Sequence, residues 1–319
     1  MIFVAMNYRL GALGFLSGPE VEEDGDLNAG ILDQRMALDW VQRNIHSFGG
    51  DSERVTVMGK SAGGGSVLLH MMAYGGDDND TTPFAQAIPQ SPYIEPTSVP
   101  TEGVFEKFLD LLNVSSLQEA RQVDEQALIA ANAEIIHSAP PNTYIFGPVI
   151  DGKYIPERPM QMLHEGRFDK SINVLATHTS FEGSWYFDPS VENEGDFSDW
   201  VNQTIPGLPE DIIGFLADDL YPPVFDGSWG YTSQATRQLA LWGEAFFDCH
   251  FYTTGKATEG NSYASEYFNA LVQDVFCAES QLANTFYYCR SVFHRAGLPH
   301  AGPRLHLRWT RQLCTLPEG

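Results

Sequence analysis

Between residues 55 and 73 the chain has little choice of structure. Val55-Thr56-Val57-Met58 is a short apolar run of strand type. Gly59-Lys60-Ser61-Ala62-Gly63 is a glycine-flanked turn, and residues 64–73, with Val67, Leu68, Leu69, Met71 and Met72, read as an apolar helix. Strand, tight turn and helix in immediate succession are the grammar of a βαβ unit, and so of a mostly parallel sheet. The surroundings agree. Residues 2–6 form a continuous apolar run expected to be a buried central strand, and residues 55–58 a second buried one. Residues 27–45 carry Ile31, Met36, Leu38, Val41 and Ile45 at helical spacing and stop at Phe48-Gly49-Gly50-Asp51. Residues 85–88 and 172–176 predict further strands, residues 93–147 a helical insertion over a sheet edge, and residues 200–258 mostly helix. The expected class is α/β.

Composition narrows the function. Of 319 residues, 43% are hydrophobic and 19% charged, which supports a large core. A net charge of −24 repels phosphate backbones and anionic lipid, so nucleic acid is not an expected partner. No apolar run reaches the ~20 residues of a membrane span, and Asn7, Tyr8 and Arg9 follow the opening apolar residues too soon for a secretory signal. Cys249, Cys277, Cys289 and Cys314 match no zinc spacing, so no metal site is expected. Asn79, Asn113 and Asn202 head glycosylation sequons, which lean towards a secreted parent protein.

The turn fits G-x-S-x-G. A serine there must adopt a strained backbone, and Gly59 and Gly63 are expected to let strand and helix pass closely. The strain presents the Ser61 hydroxyl at the carboxyl end of the sheet, where open α/β folds bind ligands. The N–H of Ala62, at the start of the following helix, points to the same space and can donate to an oxyanion.

A longer series of motifs then resembles the carboxylesterase type B family, which also contains cholinesterases and fungal extracellular lipases. It runs through Asn7-Tyr8-Arg9-Leu10-Gly11, Gly14-Phe15-Leu16, Asp33-Gln34-Arg35, Ala37-Leu38, Trp40-Val41, Asn44-Ile45, Phe48-Gly49-Gly50-Asp51 and Gly59 to Gly63. Phe146-Gly147-Pro148-Val149, Asp151-Gly152 and Pro156 continue it. The resemblance covers about residues 1–270. It implies an α/β-hydrolase fold, with a mostly parallel central sheet flanked by helices. It implies a serine carboxylic-ester hydrolase with a Ser-His-Glu triad, a small-molecule or lipid ester as substrate, no cofactor, and an extracellular parent protein. Ser61 is the implied nucleophile. The family's G-x-N-x-x-E-G segment aligns with residues 177–183 and makes Glu182 the implied acid. His178 in that segment stands where the family has a small or polar residue and reads as structural. His70 reads as a packed or surface histidine. Lys60 departs from the family's usual acidic or Gln neighbour of the nucleophile.

Two family features are missing. The Gly-rich oxyanion loop precedes the Asn-Tyr-Arg-Leu segment, which here begins at residue 7, so that loop and the N-terminal strands are expected to be absent. The segment like H-G-x-D-L-x-Y-T-F that carries the catalytic histidine is not found. His250, His294, His300 and His306 follow in the right order without the right neighbours, His300 being nearest by position. Codons for residues 299–309, shifted by one base, permit that motif, and residues 283–290 can be encoded by a splice-acceptor-like sequence. Residues 1–271 thus read as an incomplete hydrolase domain with its helical insertion at about 94–147. Residues 272–319 read as an aberrant tail from a translated intron and an out-of-frame exon. On that reading the cysteines after Cys249 are not disulfide partners, and the chain as written has little activity. The alternatives are a non-catalytic interaction protein of the same fold and a functionless fragment.

Overall fold

The computed structural model describes residues 1–76, 82–94, 103–139, 143–180, 182–205 and 207–267. Its first half is built around one amphipathic helix. Short helices α1 (Gly11–Phe15) and α2 (Pro19–Asp24) precede α3 (Ala29–Asn44), which buries Ile31, Leu38 and Val41 on one stripe. A 3-10 turn over Ile45–Phe48 and Gly49 at φ 79° end that helix where the glycines predict. Asn28, just before α3, donates to Val149 O at 2.8 Å and Asp151 Oδ2 at 2.7 Å, and it accepts from Val149 N. One side chain thereby ties α3 to a segment about 120 residues away.

Strand β1 (Thr56–Lys60) leads into α4 (Ala62–Met71), and β2 (Gln86–Gln90) follows. Helices α5 (Val104–Leu112), α6 (Leu117–Ala120) and α7 (Glu125–His137) form the helical stretch expected over 94–147. They pack Phe105, Phe108, Leu109 and Ile135 into two small apolar clusters. Next come α8 (Pro159–Glu165) and β3 (Asn173–Thr179). A helical half follows, with α9 (Glu194–Thr204), α10 (Glu210–Gly214), α11 (Gln234–Gly243) and α12 (Cys249–Ala257). Segments Phe215–Leu220 and Glu244–Asp248 are π-helical. Capping boxes at Asn193/Asp196 and Ser233/Thr236 start α9 and α11. Strand β4 (Ser262–Tyr267) closes the order.

The sheet runs β1-β2-β3-β4 with every pair parallel. All carboxyl ends therefore lie along one edge. The register places Lys60 opposite Gln90 and Gln90 opposite Thr177. Between β2 and β3 the pairing skips Ile88 and Pro89, as a proline without an N–H requires. The main core packs Ala87, Val174 and Ala176 of the sheet against Leu68 and Met71 of α4, Met72 just after it, and Met162 and Leu163 of α8. Aromatic residues fill a second core under the helical half: Phe197, Trp200, Tyr231, Trp242, Phe246 and Phe247.

Three expectations need correction. Residues 2–6 form no strand, and Ile2, Phe3 and Val4 are exposed. An apolar run becomes a strand only with a ladder neighbour, and none pairs with it among the described residues. Consequently β1 is an edge strand and not a buried one, with Met58 55% exposed. The third is β4, where no strand was expected. Its Ser-Tyr-Ala-Ser-Glu-Tyr sequence lacks an apolar run because it lies at the other edge of the sheet.

Candidate active site

The turn after β1 is sharp. Ser61 has φ 57° and ψ −120°, outside the regions an L-residue prefers, and α4 starts at the next residue. Such a backbone costs of order 1–3 kcal/mol and persists only when its surroundings hold it. Here they do. Ser61 N donates to Gln90 O at 2.9 Å, and Ser61 O accepts from Gly65 N at 2.9 Å and Tyr93 N at 3.2 Å. Ser61 itself is exposed, as is Ala62, the first residue of α4.

The glycines divide unequally. A Cβ at Gly59 would collide with the Gly63 carbonyl, so strand and helix do pass closely there. A Cβ at Gly63 meets nothing within 4 Å, so the expected steric need at Gly63 is not borne out. The tight contacts lie one turn further on. A Cβ at Gly64 would sit 2.7 Å from Gln90 O, and one at Gly65 would collide with Tyr93 O.

The second element of the site, a carboxylate, follows β3. Glu182 opens a 3-10 turn, Glu182–Trp185. Its Oε1 accepts from Ser91 Oγ at 2.6 Å and from Thr179 N at 2.6 Å. Both bonds fall on the same oxygen. A Cβ at Gly183 would collide with the Leu239 carbonyl of α11, which accounts for the glycine after the glutamate. Because β1 and β3 are parallel, Ser61 and Glu182 leave the same edge of the sheet.

Between them sits a residue that sequence reasoning missed. Ser91 follows β2, is 6% exposed and has φ 42°. Its N donates to Thr177 O at 2.7 Å while its hydroxyl reaches Glu182. A polar residue directly after a parallel strand, at the edge where ligands bind, was the available signal.

The other histidines are distributed as follows. His70 is 2% exposed, with Nδ1 2.6 Å from Tyr154 Oη and Nε2 3.0 Å from Gln34 Oε1. Burial, with the nearby Arg35 charge, pushes it down to about 3, so the ring is neutral. It is packed, not superficial. His178 Nδ1 lies 3.2 Å from Asp248 Oδ1, and its ring lies 4.1 Å from that of Phe251. His250 is 1% exposed, with Nδ1 3.3 Å from Pro92 O. His294, His300 and His306 lie outside the described residues. Lys60 is exposed at the end of β1.

An aromatic wall rises beside the turn. Tyr93 stacks on Phe246 with centroids 5.9 Å apart and packs against Tyr144 at 5.7 Å. Tyr144 Oη donates to Tyr186 Oη at 3.1 Å, and Tyr186 stacks on Trp242 at 4.0 Å. Burial, with the hydrogen bond to Tyr186, raises the Tyr144 phenol above its ordinary range. Among the described residues no group of three His, Cys, Asp or Glu side chains is placed to hold a metal ion.

A strained serine after the first strand, the start of a helix behind it and a carboxylate at the same sheet edge form the arrangement that the sequence motifs anticipate. Residues 1–209 match the carboxylesterase family model. The chain belongs to the carboxylesterase family. It is 43% identical over 271 residues to carboxylesterase patB of Penicillium expansum, covering 84% of this chain and 48% of that protein. It is 31% identical to a secreted lipase of Arthroderma benhamiae, covering 94% of this chain and 53% of the lipase. That match leaves out so little that it extends into residues 272–319, the segment the sequence reading set apart. Among solved structures, Aspergillus niger EstA superposes with a TM-score of 0.70 at 30% identity, over 82% of this chain and 52% of EstA. A PNB esterase superposes at 0.65 with 27% identity, over 82% of this chain and 54% of that one. The fold is therefore the α/β-hydrolase fold. The chain spans about half the length of the relatives it matches.

Proposed function

We propose that this chain carries the nucleophile and acid of a serine carboxylic-ester hydrolase acting on small-molecule or lipid esters. The observation that carries the reading is the Ser61 backbone: a non-glycine residue at φ 57° between a strand and a helix, with its hydroxyl-bearing residue exposed. Ser61 Oγ attacks the acyl carbon and forms the acyl–oxygen bond while a histidine takes its proton. The tetrahedral oxyanion is held by the Ala62 N–H. The histidine returns the proton to the leaving alcohol, and water then repeats the sequence to release the acid and restore Ser61. Glu182 orients that histidine, with Oε2 receiving its ring N–H while Ser91 and Thr179 fix Oε1. The chemistry needs no cofactor.

The parent protein is proposed to be extracellular. Secreted lipases are among the relatives. Of the sequon residues, Asn113 and Asn202 are exposed, and Asn79 lies outside the described residues. Among the described residues no helix is long and apolar enough to cross a membrane.

The test uses the protein expressed from its genomic locus, so that any flanking coding sequence is included. A fluorophosphonate should label one serine, Ser61, and Ser61→Ala should lose both labelling and hydrolysis of p-nitrophenyl acetate. Labelling at another serine with Ser61 unmodified overturns the reading.

A further inference from the structure

The peptide unit joining Ser61 to Ala62 is held from an unexpected side. Its N–H is the proposed oxyanion donor and, being at the first position of α4, has no intrahelical acceptor. Its C=O accepts two donors: Gly65 N of α4 at 2.9 Å and Tyr93 N at 3.2 Å, the latter from the loop after β2. Donors on both lone pairs of a carbonyl fix the peptide plane and polarise the N–H at its other end, because linked hydrogen bonds strengthen one another.

The approach of that loop is built in on both sides. Gly64 and Gly65, which lie outside the G-x-S-x-G motif, leave room for the carbonyls of Gln90 and Tyr93. The Tyr93 ring is wedged between Phe246 and Tyr144, which holds its backbone in place. Residues 90–93 also reach the acid through Ser91 and the N–H of Ser61 through the Gln90 carbonyl.

We propose that the backbone N–H of Tyr93 is a positioning group for catalysis. It aims and polarises the Ala62 N–H at the oxyanion through the Ser61 carbonyl. The proposal rests on the esterase reading of Ser61. It assigns Gly64 and Gly65 a purpose that helix formation alone does not give them, since glycine weakens a helix interior.

The experiment replaces Tyr93 by its α-hydroxy analogue through nonsense suppression in the protein expressed from its genomic locus. An ester then stands where the amide was: the ring stays and one N–H is removed. Acylation of Ser61 by p-nitrophenyl acetate, KM and the thermal midpoint are measured. The expected result is an acylation rate lower by about tenfold with KM unchanged, while the midpoint falls by no more than the few degrees that loss of one backbone hydrogen bond costs. An unchanged acylation rate overturns the inference. The ester also weakens the Pro92 carbonyl that faces His250, so a loss of the same size in His250→Leu reassigns the effect and overturns it too. If the ester protein does not fold, Gly65→Ala, whose Cβ displaces Tyr93, should lower kcat at constant KM, and an unchanged kcat there counts equally against it. Failure of the unaltered protein to acylate Ser61 instead overturns the esterase reading.

Discussion

The carboxyl edge of the sheet and the helical half beyond it treat polar groups in opposite ways. At the edge, two serines stand at positive φ, Ser61 at 57° and Ser91 at 42°, and Ser61 is open to solvent. In the helical half, Arg237 is fully buried and all three guanidinium nitrogens donate. It bonds Glu194 at 2.9 and 3.0 Å, Gln234 at 2.9 Å, and the carbonyls of Tyr221 and Ala217 at 2.7 Å each, and it lies 3.7 Å over the Phe197 ring. That arginine fastens α9, α11 and the π-helical segment into one body, since a buried charge is stable only when fully partnered. The edge holds strain because its surroundings are rigid. The helical half supplies part of that rigidity through Gly183, packed on α11, and through the aromatic wall. Strain at the proposed nucleophile and full satisfaction in its support are two halves of one arrangement.

The largest effect that would sharpen this contrast comes from the edge. Glu182→Gln should leave the unfolding midpoint nearly unchanged yet lower kcat by a factor on the order of 10⁴, because the histidine loses its orienting anion. Near-normal turnover would mean that another carboxylate has the role. Arg237→Met probes the opposite region. It should destabilise the fold by ~3 kcal/mol in chemical denaturation, since two buried carbonyls lose their donor. Its effect on kcat should be small beside its effect on stability, and the reverse ranking would erase the distinction between the two regions.

A third effect is set by His70. Its folded value near 3 lies below its ordinary value of 6.5, so below pH 6.5 the unfolded chain binds a proton that the folded chain refuses. Stability from this group is present above pH 6.5 and lost as pH falls towards 3, with a slope approaching ~1.4 kcal/mol per pH unit. His70→Gln should flatten that part of the stability–pH curve, and a curve of unchanged slope would show that other groups govern acid unfolding. The smallest effect is expected at Gly63. With open space around its Cβ position, Gly63→Ala should alter stability by less than ~1 kcal/mol. Gly59→Ala should be strongly destabilising, and similar values for the two would dismiss the steric reading of the turn.

Local rules made the strand–turn–helix unit, the α3 stripe and its glycine stop legible in the sequence, because periodicity and glycine chemistry act within a few residues. The motif series also pointed to Ser61 and Glu182, whose neighbours Gly59 and Gly183 are demanded by backbone contacts that only glycine permits. Ser91 was not legible: its importance lies in a hydroxyl that meets a carboxylate 91 residues away. Gly64 and Gly65 looked like more of the same glycine run until Gln90 and Tyr93 were seen beside them. Residues 2–6 and β4 show the same limit from the other side. An apolar run does not become a strand without a partner, and a polar run becomes one when a partner is there. Hydrophobic pattern and turn chemistry are properties of a segment, and the sequence by itself determined what depends on them. Pairing, close approach and the convergence of Ser61, Ser91 and Glu182 on one sheet edge depend on which distant segments meet. Only the tertiary structure decided those, because the register of a parallel sheet is set between strands and not within them.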